Sequence, residues 1–568
     1  DEFGAVTLYA VENRDQNEAQ IHLSYVEFFW VGQAFRVGRY PVHFHMMGDV
    51  SGSYVKGCAI HNSFNRAMTI HGITGVLAER IVTYDIKGLS FFIEDGKEEN
   101  NVIRHNLAVY TKQSSSLLNP DVTPAAFWVV NPNNELYGNA AAGGTHFGFW
   151  YRIQRHPDGP SEDSNYCSNN VPLGVFRDNS AHTFGWYGIW VFSMAGYLPM
   201  DGTPDNGYCD GTSFVPARYE NFLAWRCERG AEVVFGGPLQ FHDFKMLDNE
   251  KAGMEFVEVD GGYGENGPGT FNGIVVGHSD ITADEADACT HEGVIGPKLW
   301  YLTVDGTEFY NFDKDNCYAL GTCSQCTSLT AAFPVQVKNL KFVNSPNKVV
   351  WKWVHGGSFV DTDGSLTGTA DNVVIPSSPL YSPTACASDD VGEFSGGSVP
   401  GSVCDSTFTY GRMAWNNPVP DSLLYDIVVM TTEHGTQEII WRKKDITHKQ
   451  GWNGLFPQNT ILDMQWKNYE TVYNMTYDLS AFNLGDEGDY FAIRHGFNLK
   501  PDRVIVTPGA DAVRTNETEL DALPDDTAFN GQFYYDETDK QLTYVLAERD
   551  PPSSRRKRGL GLTSFPLG

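Results

Sequence analysis

The sequence predicts an all-β protein, a right-handed parallel β-helix (a solenoid) followed by a small antiparallel β domain. Three observations favour this fold class. No long segment places apolar residues at helical spacing behind a capping residue, so helices are not expected. Short apolar segments recur instead at roughly 22 to 45 residues, the range of periods that marks a solenoid. Aromatic residues make up 13% of the 568 residues and glycine contributes 57, which is typical of β-rich chains.

Each predicted turn of the solenoid contains two or three short strands. The first is a short apolar segment, with copies at 58–62, 81–85, 106–110, 139–142, 179–182, 222–225, 245–248 and 274–278. The second is usually led by glycine or another small residue, with copies at 67–71, 91–95, 148–151, 188–192, 231–235 and 253–257. One such turn cannot bury its apolar face alone, so stacked turns must share a core. Asn side chains beside the turns can then hydrogen bond to the next rung.

Two long excursions interrupt the predicted solenoid, near residues 154–170 and 197–216. Both are rich in Pro, Gly, Asp and Asn, which indicates loops that project from their rungs. Each excursion carries one cysteine, and we expect Cys167 and Cys209 to form a disulfide. A second disulfide is expected between Cys386 and Cys404, which bracket a loop rich in Gly, Ser and Asp.

The domain boundaries follow from changes in this pattern. After about residue 407 the strands become longer and alternate, and a hairpin is predicted over 533–545. We therefore expect a β-helix over 1–370, a Gly/Ser/Asp-rich connector over 371–406, an antiparallel domain over 407–550 and a basic tail over 551–568.

The charge of the chain excludes several functions. With 40 Lys and Arg against 71 Asp and Glu, the net charge is −31, so nucleic acids and anionic membranes are not expected partners.

No apolar stretch is long enough for a membrane-spanning helix. Nucleophile elbows, Walker loops and dinucleotide fingerprints do not occur in a strand-turn-helix context, which excludes esterase, NTPase and Rossmann chemistry.

The cysteines indicate an extracellular protein. Ten cysteines without zinc-ribbon spacing favour disulfides in an oxidising compartment, with free thiols inside a cell as the alternative. Two glycosylation sequons, at Asn474 and Asn516, agree with secretion. The basic run near the end is either a processing site in an exposed linker or a solvated charge run; it consists of Arg555, Arg556, Lys557 and Arg558.

Several long motifs, in order, carry a resemblance to a known family. They are Gly38–His45 with Gly48-Asp49, Ala59–His61, Thr69–Gly72, Phe91–Gly96, Phe127-Trp128, Asn131–Asn134, Ala141–Tyr151, His156–Ser161 and Asp361–Gly368. These motifs resemble the core of the fibrocystin family, which includes fibrocystin-L, and of the related extracellular hyaluronidases of the cell-migration-inducing hyaluronan-binding protein type.

The resemblance implies a large secreted or single-span surface protein that carries a parallel β-helix. Fibrocystin-type members are known as ciliary, stereociliary or cell-surface coat components, whereas the hyaluronidase branch cleaves hyaluronan, with calcium implicated. That branch also carries a separate small β-rich domain that its activity needs, and this sequence contains no counterpart of it. The resemblance therefore favours a structural or recognition role.

Stacking of the second strands predicts a polar row along one face of the solenoid. In this row, His71 with Glu94 and Asp95 can act as general acid and base on a glycosidic bond or on a sugar C5 proton. Candidate glycan contacts extend the row; they are His43, His45, Arg104, Asn131, His146, Tyr151 and Arg152. The alternative is that these polar groups only satisfy backbone hydrogen bonds, as they often do in β-helices.

Two kinds of metal site are compatible with the sequence. His43 and His45 are two residues apart on a strand and share a face, so with His71 they can form a three-histidine site. Calcium is the more general expectation, because acidic loops supply oxygen ligands. Those loop residues are Asp201, Asp205, Asp210, Asp361 and Asp363, and a merely solvated loop is the alternative for each.

The sequence thus predicts an extracellular fibrocystin-L-like module of a cell-surface, ciliary or filament coat. Its expected partners are a glycan, an extracellular protein or further copies of itself. A polysaccharide-cleaving hydrolase or lyase is the alternative function. The two differ in whether the polar row lies open in a groove or is covered by the excursion loops.

Overall fold

In a computed structural model the chain divides into two compact units, residues 1–321 with 336–349 and residues 322–335 with 350–568. The structure describes residues 2–13, 19–115, 121–192, 196–201, 209, 213–285, 287–322, 333–387, 393–394, 396, 399–441, 451–468, 476–482, 489–496, 533–547 and 563–566.

Three parallel sheets run along the first unit. Sheet 1 contains Thr7–Tyr9, Val42–Asp49, Met68–Thr74, Phe91–Ile93, Ala125–Val129, Phe147–Tyr151, Tyr187–Val191, Arg229–Val233, Ala252–Phe256, Glu292–Gly296, Tyr318–Thr322 and Val349–Val350. Sheet 2 contains His22–Ser24, Tyr54–Lys56, Leu77–Glu79, Val102–Arg104, Glu135–Tyr137, Val175–Arg177, Ala217–Glu220, Leu239–His242, Gly269–Phe271, Leu302–Asp305 and Pro334–Lys338. Sheet 3 contains Glu27–Phe29, Ala59–Ser63, Val82–Lys87, Leu107–Lys112, Ala140–Gly144, Ser180–Phe184, Leu223–Trp225, Lys245–Leu247, Ile274–Val276, Glu308–Tyr310 and Lys341–Val343.

The chain visits the three sheets in turn, and each visit adds one strand beside the previous strand of that sheet. This architecture confirms the predicted parallel β-helix. Side chains of equivalent positions stack inside it, as the rings of Phe91, Phe127 and Phe149 show, with centroids 4.8 and 4.7 Å apart. Such contacts between rungs bury apolar surface that no single rung can bury alone.

Buried asparagines form ladders at the turns. The side-chain amide of Asn106 donates to Oδ1 of Asn139 at 3.0 Å, and the amide of Asn139 donates to Oδ1 of Asn179 at 3.1 Å. The backbone N–H groups of Asn106 and Asn139 donate to the same two oxygens. The backbone N–H groups at these buried turns have no partner in a β-sheet. The asparagine side chains accept from them and so satisfy their hydrogen bonds.

Disulfides fasten the irregular parts of the chain. Cys167 is bonded to Cys209 and Cys386 to Cys404, the two pairs expected from the sequence. Cys289 and Cys317 form a further disulfide that the sequence did not reveal, because their separation of 28 residues carries no recognisable spacing. Cys58 and Cys227 are buried thiols. Short 3-10 turns lie at Gly159–Ser161, Ser168–Asn170, Gly264–Asn266 and Asp421–Leu423.

The second unit contains three antiparallel or mixed groups of strands. One group is Ser358–Asp361, Asn372–Pro376, Cys386–Ala387 and Gly401–Cys404. A second sheet contains Tyr410–Val419, Trp452–Pro457, Thr476–Phe482 and Thr563–Pro566. A third contains Val428–Thr431, Thr436–Ile439, Thr460–Trp466, Tyr490–Gly496, Phe533–Asp536 and Gln541–Ala547, of which Thr460–Trp466 and Tyr490–Gly496 pair in parallel.

The first compact unit ends at residue 349, and the end of the β-helix at residue 370 stays a prediction from the sequence. Strands also occupy parts of 371–406, where the sequence indicated a connector, because Asn372–Pro376 pairs antiparallel with strands on both sides. Short strands between Gly- and Ser-rich loops resemble loop sequence when no repeat marks them.

In the described part of the chain, no helix is long and apolar enough to span a membrane.

Candidate functional site

The outer face of sheet 1 brings together the first part of the predicted polar row. His45 pairs with His71 in the parallel register, and the backbone N–H of Glu94 donates to the carbonyl of Ile70. Because equivalent positions stack on successive rungs, His45, His71 and Glu94 follow one another along this face. His43 lies two residues before His45 and points to the same side.

The three histidines form a compact cluster. Their rings lie 4.8 to 5.8 Å apart between centroids, and one nitrogen from each ring lies within 4.8 Å of the others. Nδ1 of His45 is 3.1 Å from Nδ1 of His71. Nδ1 of His43 donates to the carbonyl of Gly38 at 2.9 Å, and burial lowers the pKa of His43 to about 3.

Carboxylates surround His71. Its Nε2 donates to Oδ2 of Asp95 at 2.9 Å, and its Nδ1 lies 3.3 Å from Oε2 of Glu94. Burial disfavours the charged imidazole, but the hydrogen bond to Asp95 and the charge of Glu94 outweigh it and raise the pKa of His71. Burial also raises the pKa of Glu94. Glu98 stabilises the turn that follows Asp95, because its carboxylate accepts from the backbone N–H groups of Gly72, Asp95 and Gly96.

A buried arginine, which the sequence analysis missed, lies beside this cluster. The Nε of Arg66 donates to Asp121 at 3.1 Å and its Nη1 donates to the hydroxyl of Tyr40 at 3.0 Å. Its guanidinium also lies 3.8 Å from Glu94 and packs over the ring of Phe92 at 3.9 Å. Arg66 and Asp121 lie in turns, where no repeat marks a position, so the stacking argument could not find them.

Aromatic side chains continue the same face beyond the histidines. Phe92 pairs with Trp128, Trp128 with Trp150, and Trp150 with Trp190. Trp128 and Trp150 are buried, Trp190 is half-buried, and the neighbouring Trp186 is 39% exposed. We call Trp186, Tyr187 and Trp190 the aromatic platform. It is the open end of this aromatic row.

Acidic residues that the sequence analysis also missed follow the platform. Trp190 pairs with Glu232, which pairs with Glu255, and Nε1 of Trp190 donates to Glu232 at 2.8 Å. Burial and the adjacent Glu255 raise the pKa of Glu232 to about 8. Arg229 bonds Glu255 at 2.6 Å and lies 3.2 Å from Glu232. The repeat places Glu232 on a predicted second strand, at 231–235. The other residues of that strand are apolar, so the sequence did not mark Glu232 as part of a polar site.

The first excursion covers the histidine end of the row. The backbone N–H of Ser161 donates to Oδ2 of Asp95, and that of Asp158 donates to the Asp95 carbonyl. The side chains of His71 and Asp95 are only 7% and 3% exposed, and that of Glu94 is 17% exposed. The histidine end is therefore a covered cluster, in which Glu94 and His45 are the partly exposed members, and not an open groove.

The other predicted glycan contacts divide into two groups. Arg152 and His146 lie on the sheet 1 side, where Arg152 packs over Trp128 and His146 packs edge-on against Trp186. Three others do not join that face. Arg104 belongs to sheet 2 and bonds Glu79, Asn131 is buried against Gly96 and Tyr166, and Tyr151 is fully buried against Phe176 and Tyr219.

The acidic loops expected to hold calcium are described only in part. Asp201 is exposed. Oδ2 of Asp361 accepts from the backbone N–H groups of Leu366 and Thr367 and from the Thr367 hydroxyl, and Asp363 accepts from Ser365. Calcium therefore stays a prediction for these loops. Outside the described residues lie Asp205, Asp210, Asn474, Asn516, Arg555, Arg556, Lys557 and Arg558.

Comparison with known proteins agrees with the fold and the motifs. Residues 11–189 match the family model described as CEMIP beta-helix. The chain is 41% identical to human fibrocystin-L over 97% of its own length and 13% of that protein, and 25% identical to mouse fibrocystin over 85% of its length and 12% of that protein. It is 35% identical to the human protein named cell surface hyaluronidase CEMIP2, over 31% of this chain and 15% of that protein.

The chain thus spans about an eighth of the length of the curated relatives that it matches, as its 13% share of fibrocystin-L indicates. Among solved structures, the receptor binding domain of the siphovirus 9NA tailspike aligns over 82% of this chain and 94% of its own, with 8% sequence identity and a TM-score of 0.31. Over nearly its whole length the chain is similar to a segment of fibrocystin-L and fibrocystin, and its residues 11–189 match the CEMIP β-helix family model.

Proposed function

We propose that this chain is an extracellular recognition module that contacts glycan with the outer face of sheet 1. The observation that carries the proposal is the aromatic platform, where the ring centroid of Tyr187 lies 6.4 Å from that of Trp186 and 5.5 Å from that of Trp190, and Trp186 is exposed. Indole and phenol rings at such a surface offer flat apolar faces, and their polar edges hydrogen bond to hydroxyl groups. Arg229 and His146 border the platform, where they contact the rings of Tyr187 and Trp186.

The compartment and the ligand class are supported separately. Three disulfides among the described residues fit an oxidising compartment outside the cell. Relatives of the β-helix include a human cell surface hyaluronidase and a mouse cell migration-inducing and hyaluronan-binding protein. Hyaluronan is therefore the first glycan to test. A structural role in a surface coat remains compatible with glycan binding, because a coat component needs a recognition surface.

The test is a binding titration of hyaluronan and of a glycosaminoglycan panel against the purified chain. We expect Trp186→Ala to weaken glycan binding about tenfold, because it removes one stacking face. Tyr84→Ala is the matched control, since Tyr84 is 51% exposed on sheet 3 and lies outside the platform. Equal binding by both variants would remove the platform from the recognition surface.

Polysaccharide cleavage is the second candidate, and one observation favours it. His71 lies between Asp95 and Glu94, so an imidazole and two carboxyl groups can share protons as general acid and base. Such a group can serve either a hydrolase or a lyase. The covering excursion weighs against this activity, because a sugar chain must reach the cluster.

The test of cleavage is the size distribution of hyaluronan after incubation with the chain, with and without calcium. Shortening by the wild type, and none by a His71→Ala, Asp95→Ala double variant, would establish catalysis by this cluster. Unchanged size with retained hyaluronan binding would leave recognition as the function.

A further inference from the structure

We propose that His43, His45 and His71 bind one divalent transition-metal ion of the zinc type. This inference goes beyond the proposed function, since glycan contact at the platform needs no metal. It rests on the nitrogen atoms that the fold brings together, one from each ring, all within 4.8 Å of one another.

His43 presents a ligand atom that no described residue uses. Its Nδ1 donates to the carbonyl of Gly38 at 2.9 Å, which places the ring proton on Nδ1 and leaves the lone pair on Nε2. This Nε2 is buried and has no hydrogen-bond partner in the part of the chain that the structure describes, and the residue as a whole is 2% exposed. A buried acceptor without a partner costs free energy, and a bound cation would satisfy it. A backbone carbonyl on the opposite nitrogen is also the usual support for a metal-binding histidine.

His71 is oriented in the same way by a carboxylate. Asp95 accepts from Nε2 of His71 at 2.9 Å, so the lone pair of this ring lies on Nδ1 and faces His45. A carboxylate behind the ring fixes the tautomer and makes the opposite nitrogen a better metal ligand. Asp95 is itself held by the backbone N–H of Ser161, so the ring and its support are both fixed before a metal arrives.

The spacing between the ligands fits a shared ion. Nδ1 of His45 and Nδ1 of His71 are 3.1 Å apart, close to the separation of two ligands about 2.0–2.1 Å from one tetrahedral zinc ion. Oε2 of Glu94 lies 3.3 Å from Nδ1 of His71 and has no hydrogen-bond partner among the described residues, so a carboxylate oxygen lies at the edge of the cluster. That oxygen or a water molecule can complete a four-ligand set.

The composition of the cluster selects the class of metal. Three imidazoles and one carboxylate suit zinc and related first-row ions, whereas calcium and magnesium prefer sets made of oxygen. The charges nearby also favour a cation. Glu94, Asp95 and Glu98 surround the cluster, and the one buried cation beside it, Arg66, is already paired with Asp121.

A second group of potential ligands does not compete with this site. His156, Cys167 and Cys209 also lie within reach of one another, but both cysteines are joined in a disulfide and have no thiolate to offer. His156 alone does not make a metal site.

The experiment uses the whole purified chain, stripped of metal and then titrated with Zn²⁺, with the bound metal counted by elemental analysis. We expect one tightly held zinc per chain. Asp95→Asn should weaken zinc binding about 10- to 100-fold, because it removes the support of His71. His45→Ala should weaken it further, since it removes a ligand. His182→Ala is the matched control, because His182 is a partly buried histidine that stacks on Trp225 in sheet 3.

Co²⁺ provides a readout that does not depend on any activity. The wild type and His182→Ala should show the absorption spectrum of a tetrahedral cobalt site, and His45→Ala should lose it. His45 is half-buried, so its variant is expected to fold, and circular dichroism of each variant checks this. The proposal is overturned if the folded His45→Ala variant binds zinc as tightly as the wild type, or if the wild type binds no zinc. Either result leaves glycan binding at the platform to be judged on its own.

Discussion

Arg66 is a fully buried cation that is paired mainly with one carboxylate. Its closest carboxylate is Asp121, 3.1 Å from its Nε, while Glu94 lies 3.8 Å away and already faces His71. We expect Asp121→Asn to lower the free energy of unfolding by about 3–5 kcal/mol, because it leaves a buried charge without its partner. Chemical denaturation followed by tryptophan fluorescence measures the change.

An exposed ion pair gives the matched control for this prediction. Lys341 and Glu308 are 2.8 Å apart on sheet 3, but Lys341 lies in solvent. Lys341→Ala should leave the unfolding curve close to that of the wild type, because water and salt screen such pairs. Equal losses in the two variants would show that burial does not set the strength of the Arg66 pair.

Glu232 makes stability depend on pH. Its folded pKa of about 8 lies above the ordinary 4.5, because burial and Glu255 disfavour the charged form. Between these pH values the folded carboxyl keeps a proton that the unfolded chain has released. The contribution of Glu232 to stability is therefore largest below pH 4.5 and falls as pH rises towards 8.

Glu232→Gln should remove this dependence. The amide oxygen can still accept from Nε1 of Trp190, but it does not titrate. We expect the decline of unfolding free energy with pH to become shallower by about 1.4 kcal/mol per pH unit in that window. Urea unfolding of both proteins at several pH values tests it, and parallel pH profiles would contradict it.

At the residue scale, the sequence could identify side chains that recur on rungs but not those in turns. His71, Glu94 and Asp95 were found because equivalent strand positions stack, and the structure brings them together. Of the two neighbouring residues that the sequence offered for the same rung, Arg152 lies on this face and Tyr151 points into the core. Tyr151 is fully buried and pairs with Val129, which is also buried. A shift of one residue moves a side chain to the opposite face of a strand.

At the scale of elements, the asparagine ladder joins rungs that otherwise meet only through short strands. Asn139 donates to Ile103 and Asn179 and accepts from the backbone and side chain of Asn106. We expect Asn139→Ala to cost about 1–3 kcal/mol for each buried group that it leaves without a partner. Denaturant unfolding measures the loss.

Ser180→Ala tests whether that loss is specific to the ladder. Ser180 begins the next strand of sheet 3 and is only partly buried, so its removal disturbs the same region without breaking the ladder. The prediction fails if both variants unfold at the same denaturant concentration. The strands themselves were predictable from their recurrence, whereas the strands inside 371–406 were not, because they belong to no repeat.

At the scale of the whole molecule, charge sets how salt acts on glycan binding. The chain carries a net charge of −31, so its field repels a polyanion such as hyaluronan. The cation beside the platform does not reverse this locally, because Arg229 is already bonded to Glu228 and Glu255. A platform that binds hyaluronan must do so through stacking and hydrogen bonds, against the overall field.

We therefore expect added salt to strengthen hyaluronan binding, up to roughly physiological ionic strength. Salt shortens the screening length from about 30 Å at 0.01 M to about 8 Å at 0.15 M, which weakens the long-range repulsion and leaves contacts at the platform intact. A neutral polysaccharide such as dextran, where it binds, should show no such rise. Binding titrations at several salt concentrations across this range measure how the affinity for hyaluronan changes with salt. Binding that weakens with salt would mean that attraction by cations drives recognition, and the site would then have to lie away from the platform, at a surface with unpaired basic groups.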